Sequence, residues 1–167
     1  GDWSVHRGGA VFAQGTVGLS IEHCSFEQLG GNALFLSNFN RGARVTDSEF
    51  VWIGDSVIAS WGYTAPLGGA ANDDVLAQYK SGVDGTNGEQ PRGTTVSHNL
   101  VREIGIWQKQ SSFYFQAVAA QTVVRDNVHF NGPRAGINLN DGFGGGDVLE
   151  GNLIANCVRE SGDHGPF

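Results

Sequence analysis

The amino-acid sequence predicts an all-β chain folded as a right-handed parallel β-helix, a solenoid of about five to six coils of about 25 residues each. Three observations carry the prediction. A phrase of apolar residues around a small polar one recurs along the chain. A second short strand-like segment follows most copies. Glycine fills 26 of the 167 positions, mostly in small clusters between apolar runs. Such clusters mark tight turns rather than a disordered linker.

The phrase first occurs as Ile21–Cys24–Phe26, followed by Leu29 and Gly30. It returns as Val45–Ser48–Phe50 before Ile53 and Gly54, and as Val96–Asn99–Val101 before Ile104 and Gly105. Val124–Asn127 precedes Asn131 and Gly132, and Leu149–Asn152–Ile154 precedes Cys157. The steps between copies are 24, 51, 28 and 25 residues, so the long step holds two coils, or one coil with a loop. The second strands are ALFL (33–36), VIAS (57–60), FYFQ (113–116) and INLN (137–140). They alternate in part, as half-buried strands do, and are too short and too often cut by glycine to be helices. A leucine-rich repeat, the competing solenoid, would need a Leu-rich consensus that this chain lacks.

One coil cannot bury its own apolar face. Stacking at about 4.8 Å lets neighbouring coils cover it and sets like residues above like. Cys24, Ser48, Asn99, Asn127 and Asn152 share one phase. They are predicted to form a corner ladder, with the Asn side chains bonded to one another and to the turn backbone. Residues 62–93 break the period and predict a long loop projecting from one corner, with a short helix at Asp73–Tyr79 capped by Asn72. Residues 1–167 read as a single solenoid segment, an open-ended fragment of a larger protein. Neither end shows an amphipathic capping helix, so further coils or another subunit are expected to stack on both.

Composition narrows the function. The net charge of −7 argues against a nucleic-acid partner, which needs a basic face, and leaves neutral sugars and cations open. No run approaches the roughly 18 apolar residues of a membrane span. Cys24 and Cys157 lie at opposite ends of a stacked array and are expected to be buried free thiols. The five His show no zinc spacing with Cys, and His23, His98 and His129, close to the ladder corner, are expected to be packing residues.

The stretch NGPRAGINLNDGFGGG (131–146), followed by RESGDHGPF (159–167), is the most specific part of the chain. With GEQPRG (88–93) and the coil phrases, it resembles the right-handed β-helix domain proteins of the pectin-lyase-like superfamily, from Ala33 onward. The resemblance implies an extracellular or cell-surface location. It also implies a function among polysaccharide lyases, glycoside hydrolases, adhesins and fibre proteins, so it does not by itself establish an enzyme.

Strand parity places Phe35, Ser37, Tyr114, Gln116, Asn138 and Asn140 outward, with Ala59 and Trp61 in the same phase. Trp61, Tyr114, Gln116, Asn138 and Asn140 then form an aromatic–amide stripe suited to sugars, unless the flanking loop buries it. The corner before this strand gathers Lys109, Gln110, Arg134, Asp163 and His164. A lyase acting on uronic acids needs a base and cations for the carboxylate, roles open to Lys109, Arg134 and His164. A glycoside hydrolase needs two carboxylates, for which Asp141 and Asp163 are the natural pair, with Asp147 and Glu150 in reserve. A plain salt bridge between Arg134 and Asp163 is the alternative to either chemistry. Asp141 and Asp147 bracket a glycine run that would suit Ca²⁺ or form a long corner turn, and Asp73–Asp74 is a weaker calcium candidate. The expectation is a module that binds or cleaves an extracellular polysaccharide. The rival is a non-catalytic spacer of a cell-surface or filament protein.

Overall fold

The computed structural model describes residues 6–63, 89–162 and 165–167, and only the backbone of 141–143. The described residues form sixteen β-strands and no helix. They wind through five turns of a parallel β-solenoid. Turn 1 holds β1 (Val11–Val17), β2 (Ser20–Glu22) and β3 (Ser25–Leu29). Turn 2 holds β4 (Leu34–Arg41), β5 (Arg44–Thr46) and β6 (Glu49–Ile53). Turn 3 holds β7 (Ile58–Trp61), β8 (Pro91–Arg92), β9 (Thr95–Ser97) and β10 (Leu100–Ile104). Turn 4 holds β11 (Tyr114–Ala120), β12 (Val123–Arg125) and β13 (Val128–Phe130). Turn 5 holds β14 (Ile137–Gly145), β15 (Val148–Glu150) and β16 (Leu153–Ala155).

Each strand pairs with its counterpart one turn on, which makes three parallel sheets. The first runs β1-β4-β7-β11-β14, the second β2-β5-β9-β12-β15, the third β3-β6-β10-β13-β16. The strands of the second sheet have three residues, and only the middle one faces inward. Ile21, Val45, Val96, Val124 and Leu149 therefore stack in one column. Phe26, Phe50, Val101, His129 and Ile154 form a second column, in which Phe26 and Phe50 stack 4.9 Å apart. Val11, Leu34, Ile58, Tyr114 and Ile137 form a third. The columns meet in one continuous core. Each buried Leu, Ile, Val or Phe contributes about 1.5–3 kcal/mol, which gives the repeated phrase its physical reason.

The bends between strands also stack. One column of left-handed residues is Gly18, Gly42, Gly93, Gln121 and Gly146, and a second is His23, Asp47, His98, Asp126 and Gly151. The third is Gln28, Trp52, Glu103, Asn131 and Asn156, and φ in all fifteen lies between +49° and +73°. Gly, Asn and Asp tolerate this conformation best and fill nine of the fifteen positions. His23 and His98 therefore point into solvent rather than packing as expected, whereas His129 is buried.

The corner ladder exists as predicted. The Cys24 N–H donates to Ser48 Oγ (3.1 Å), and the Ser48 N–H to Asn99 Oδ1 (3.0 Å). Asn99 Nδ2 donates to Asn127 Oδ1 (3.0 Å) and to the Val45 carbonyl (2.9 Å).

Two expectations need correction, and a third falls outside the described residues. The insertion does not leave from a corner. β7 and β8 lie in the same sheet, with β8 paired to β4 and β11, so residues 62–90 interrupt a strand midway. Residues 64–88, including the expected helix at 73–79 and Asp73–Asp74, lie outside the described residues. The cysteines are free, as expected, but Cys24 is exposed and Cys157 only half-buried, because both sit on end turns covered from one side.

Candidate functional site

The outer face of the first sheet, expected to carry the aromatic–amide stripe, is differently composed. β11 pairs Tyr114 with Ile58 and Ile137, one residue off the predicted phase. Phe113 is taken up by the preceding corner. A one-residue slip exchanges the two faces of a strand, so Tyr114 and Gln116 point inward and Phe115 outward. Tyr114 is 0% exposed. Its hydroxyl bonds to Gln116 Oε1 (2.9 Å) and Thr122 Oγ1 (3.2 Å), and burial pushes its phenol well above the ordinary range. Gln116 Nε2 donates to Asp147 Oδ2 (3.0 Å) and the Thr122 N–H to Asp147 Oδ1 (2.8 Å). These groups form a satisfied interior network that holds the strand ends together.

Trp61 is outward, as expected, but packed. It meets Phe115 edge-on at 5.9 Å, and Phe35 stacks with Phe12 at 6.0 Å. The Arg7 guanidinium lies over Phe35 (5.3 Å), Trp61 (5.2 Å) and Tyr63 (4.2 Å). It donates to Ser37 Oγ (3.0 Å), Asn38 Oδ1 (3.2 Å) and the Trp61 carbonyl (3.0 Å). This part of the face is a packed layer. Asn138 and Asn140, on turn 5, are half-buried and line a cavity of about 460 Å³ with Ala135, Gly165 and Phe167.

The charged corner is only partly assembled. Lys109 Nζ is 3.0 Å from Glu160 Oε1, an exposed ion pair. Arg134, in the corner before β14, is 1% exposed. Asp163 and His164, and the Asp141 side chain, lie outside the described residues, so neither the carboxylate pair nor the base set is brought together among those described. Both carboxylate oxygens of Asp147 are occupied by the strand-end network. Gly142, Gly144 and Gly145 of the glycine run belong to β14, where Gly144 pairs with Ala119 across a bulge. No group of three or more His, Cys, Asp or Glu converges among the described residues.

A different pair of aromatics stands open. Trp52 is 49% and Trp107 75% exposed. Trp52 occupies a left-handed bend (φ +56°), which turns its indole out of β6 while Phe50 and Ile53 stay inside. Trp107 follows β10 in a segment that docks on the turn below. The Ile106 N–H donates to Ile53 O (3.2 Å), and those of Trp107 and Gln108 to Gly54 O (3.0 and 2.9 Å). The two indoles line one groove of about 300 Å³ with Gln28, Leu29, Gly30 and Ile106. Its walls come from three successive turns, so it runs along the solenoid. Alternation hid this site from sequence reasoning. Counting by twos from Phe50 puts Trp52 inside, and only the bend turns it out.

Comparison of the chain with protein-family models, with curated protein sequences and with solved structures gives no match.

Proposed function

We propose that the chain is a carbohydrate-binding β-solenoid module of an extracellular or cell-surface protein, and that a neutral polysaccharide lies in the groove between Trp52 and Trp107. The observation that carries this reading is the exposure of two indoles in a single groove that crosses three turns. Indole faces stack on the apolar C–H faces of pyranose rings, and the Gln28 amide beside them supplies a hydrogen-bonding edge. Successive turns stand about 4.8 Å apart, comparable to the length of one sugar unit, so consecutive units meet equivalent features. The net charge of −7 favours neutral over anionic chains. The motif resemblance to the pectin-lyase-like superfamily agrees with a polysaccharide ligand. Binding is preferred to cleavage because Lys109 is paired with Glu160 and Arg134 is buried.

Affinity electrophoresis against neutral and anionic polysaccharides tests the proposal, with reducing ends and unsaturated uronates followed in the same samples. A neutral polysaccharide is expected to retard the protein. Trp52→Ala or Trp107→Ala should weaken retardation about tenfold, equivalent to about 1.4 kcal/mol, without changing the circular dichroism spectrum. Equal retardation of the double variant would remove the groove from the site.

A second reading, a spacer to which further coils or another subunit add, is favoured by one observation. In every sheet the terminal strands belong to turns 1 and 5, and Leu139, Val148 and Leu153 of turn 5 are exposed. Sedimentation showing self-association, with no retardation by any polysaccharide, would select it.

A further inference from the structure

The tryptophan groove occupies one end of a longer row. Gln28, Trp52, Glu103, Asn131 and Asn156 hold equivalent left-handed bends, one on each turn, with φ between +49° and +63°. The residues around them are in register. Leu29 pairs with Ile53 and Ile53 with Ile104, while Arg102 pairs with Phe130 and Phe130 with Ala155. The five side chains therefore leave the solenoid along one edge, about 4.8 Å apart. Gln28, Trp52 and Asn156 are exposed, and Glu103 and Asn131 are half-buried. Gln28 and Trp52 line the groove with Trp107, and Glu103, Asn131 and Asn156 continue the row beyond it.

The continuation is polar and held in place. Asn131 Nδ2 donates to Glu103 Oε1, and Asn156 Nδ2 to Asn131 Oδ1. Arg159 Nη1 stands 3.8 Å from Glu103 Oε2, so the row taken with Arg159 has no net charge. These bonds run from side chain to side chain, whereas the buried Asn ladder also reaches backbone carbonyls on neighbouring turns. Each bond uses one of an amide's two N–H donors. The other donor, like Asn156 Oδ1, has no partner among the described residues. Side chains fixed before a ligand arrives lose little freedom on binding it.

We propose, building on the polysaccharide reading of the groove, that the whole row is a lengthwise site for a straight, neutral β-1,4-linked glycan of about five units. The indoles hold one half of the chain, and Glu103, Asn131 and Asn156 hold the other. The row is straight because the register repeats from turn to turn. Links between equatorial positions give an extended ribbon that follows such a row, one unit to a turn. Axial α-1,4 links curve a chain away from it. The ribbon turns apolar C–H faces to the indoles and equatorial hydroxyls to the amides and the carboxylate. The balanced charge of the row suits hydroxyls rather than uronates.

The test is calorimetric titration of the full chain with cello- and xylo-oligosaccharides, from disaccharide to hexasaccharide, beside malto-oligosaccharides of the same lengths. Affinity for a β-1,4 series should rise with length to about the pentasaccharide and then level off. The malto series should bind at least about tenfold more weakly. Asn131→Gly and Asn156→Gly keep the left-handed bends and remove the amides. Each should weaken the hexasaccharide about fivefold, as loss of one hydrogen bond does, leaving the disaccharide and the circular dichroism spectrum unchanged. Trp52→Ala should weaken every length. Affinity that stops rising at the trisaccharide would overturn the proposal, as would equal binding of the malto series. So would asparagine variants that bind the hexasaccharide like the parent, or no binding of either β-1,4 series. If a polysaccharide still retards the protein through Trp52 in any of these cases, the groove reading survives. If none does, both fall.

Discussion

Asn152 Oδ1 accepts two hydrogen bonds from Asn127, one from its backbone N–H (3.1 Å) and one from its Nδ2 (2.9 Å). Asn127 passes the pattern on, since its own Oδ1 accepts from the Asn99 N–H and Nδ2, both at 3.0 Å. Asn127 Nδ2 also reaches the Val96 carbonyl (3.0 Å). One buried side chain thus satisfies donors and acceptors on both neighbouring turns. Asn127→Ala leaves several of them unpaired and should cost about 2–4 kcal/mol in urea unfolding. Ser48→Ala, with fewer bonds to lose, should cost about 1 kcal/mol.

Asp55 is predicted to make the protein less stable as pH rises. Burial lifts its carboxyl from an ordinary 3.8 to about 6, against the hydrogen bonds from the Ser56 N–H (2.8 Å) and hydroxyl. Between these two values the folded state holds more proton than the unfolded one. Its contribution is therefore complete below the lower value and lost as pH climbs through the higher. Asp55→Asn keeps an oxygen for Ser56 and has no charge to bury. It should match the parent near pH 4 and exceed it near pH 7 by on the order of 2–3 kcal/mol. His129, held down at about 4 by burial, works the other way as pH falls. The difference between variant and parent, followed by thermal unfolding across pH, therefore isolates Asp55.

Two glycines should respond unequally to alanine. A Cβ on Gly54 would lie 2.4 Å from the Gly30 carbonyl oxygen, so two turns of backbone must separate. A Cβ on Gly18 meets nothing within 4 Å, and only its φ of +70° resists. Gly54→Ala should cost about 3 kcal/mol or more, and Gly18→Ala about 1 kcal/mol. Denaturant midpoints of the pair, measured side by side, give the comparison.

Arg7 closes the outer face of the first sheet by stacking and hydrogen bonding together. Arg7→Ala should lower stability by about 2 kcal/mol and increase exposure of Trp61, read by its fluorescence quenching. Arg7→Lys should recover little, because an ammonium cannot stack across rings while bonding to three acceptors.

The sequence by itself determined the solenoid, the phase of the apolar column in the second sheet and the polar corner ladder. These follow from stacking like on like, and the spacing from Ile21 to Val45 or from Asn127 to Asn152 shows that directly. Tertiary structure decided which way Tyr114 and Gln116 face, because a single residue absorbed in a corner reverses a strand and no local pattern marks the slip. It decided that the long insertion splits a strand, since only pairing of Arg92 with both Arg41 and Ala120 shows β8 completing the row that β7 begins. It also decided where the open indoles stand. Trp52 leaves the core through a left-handed bend, and Trp107 joins it by docking on a neighbouring turn. A site made between turns comes from their packing, and a pattern within one turn does not contain it.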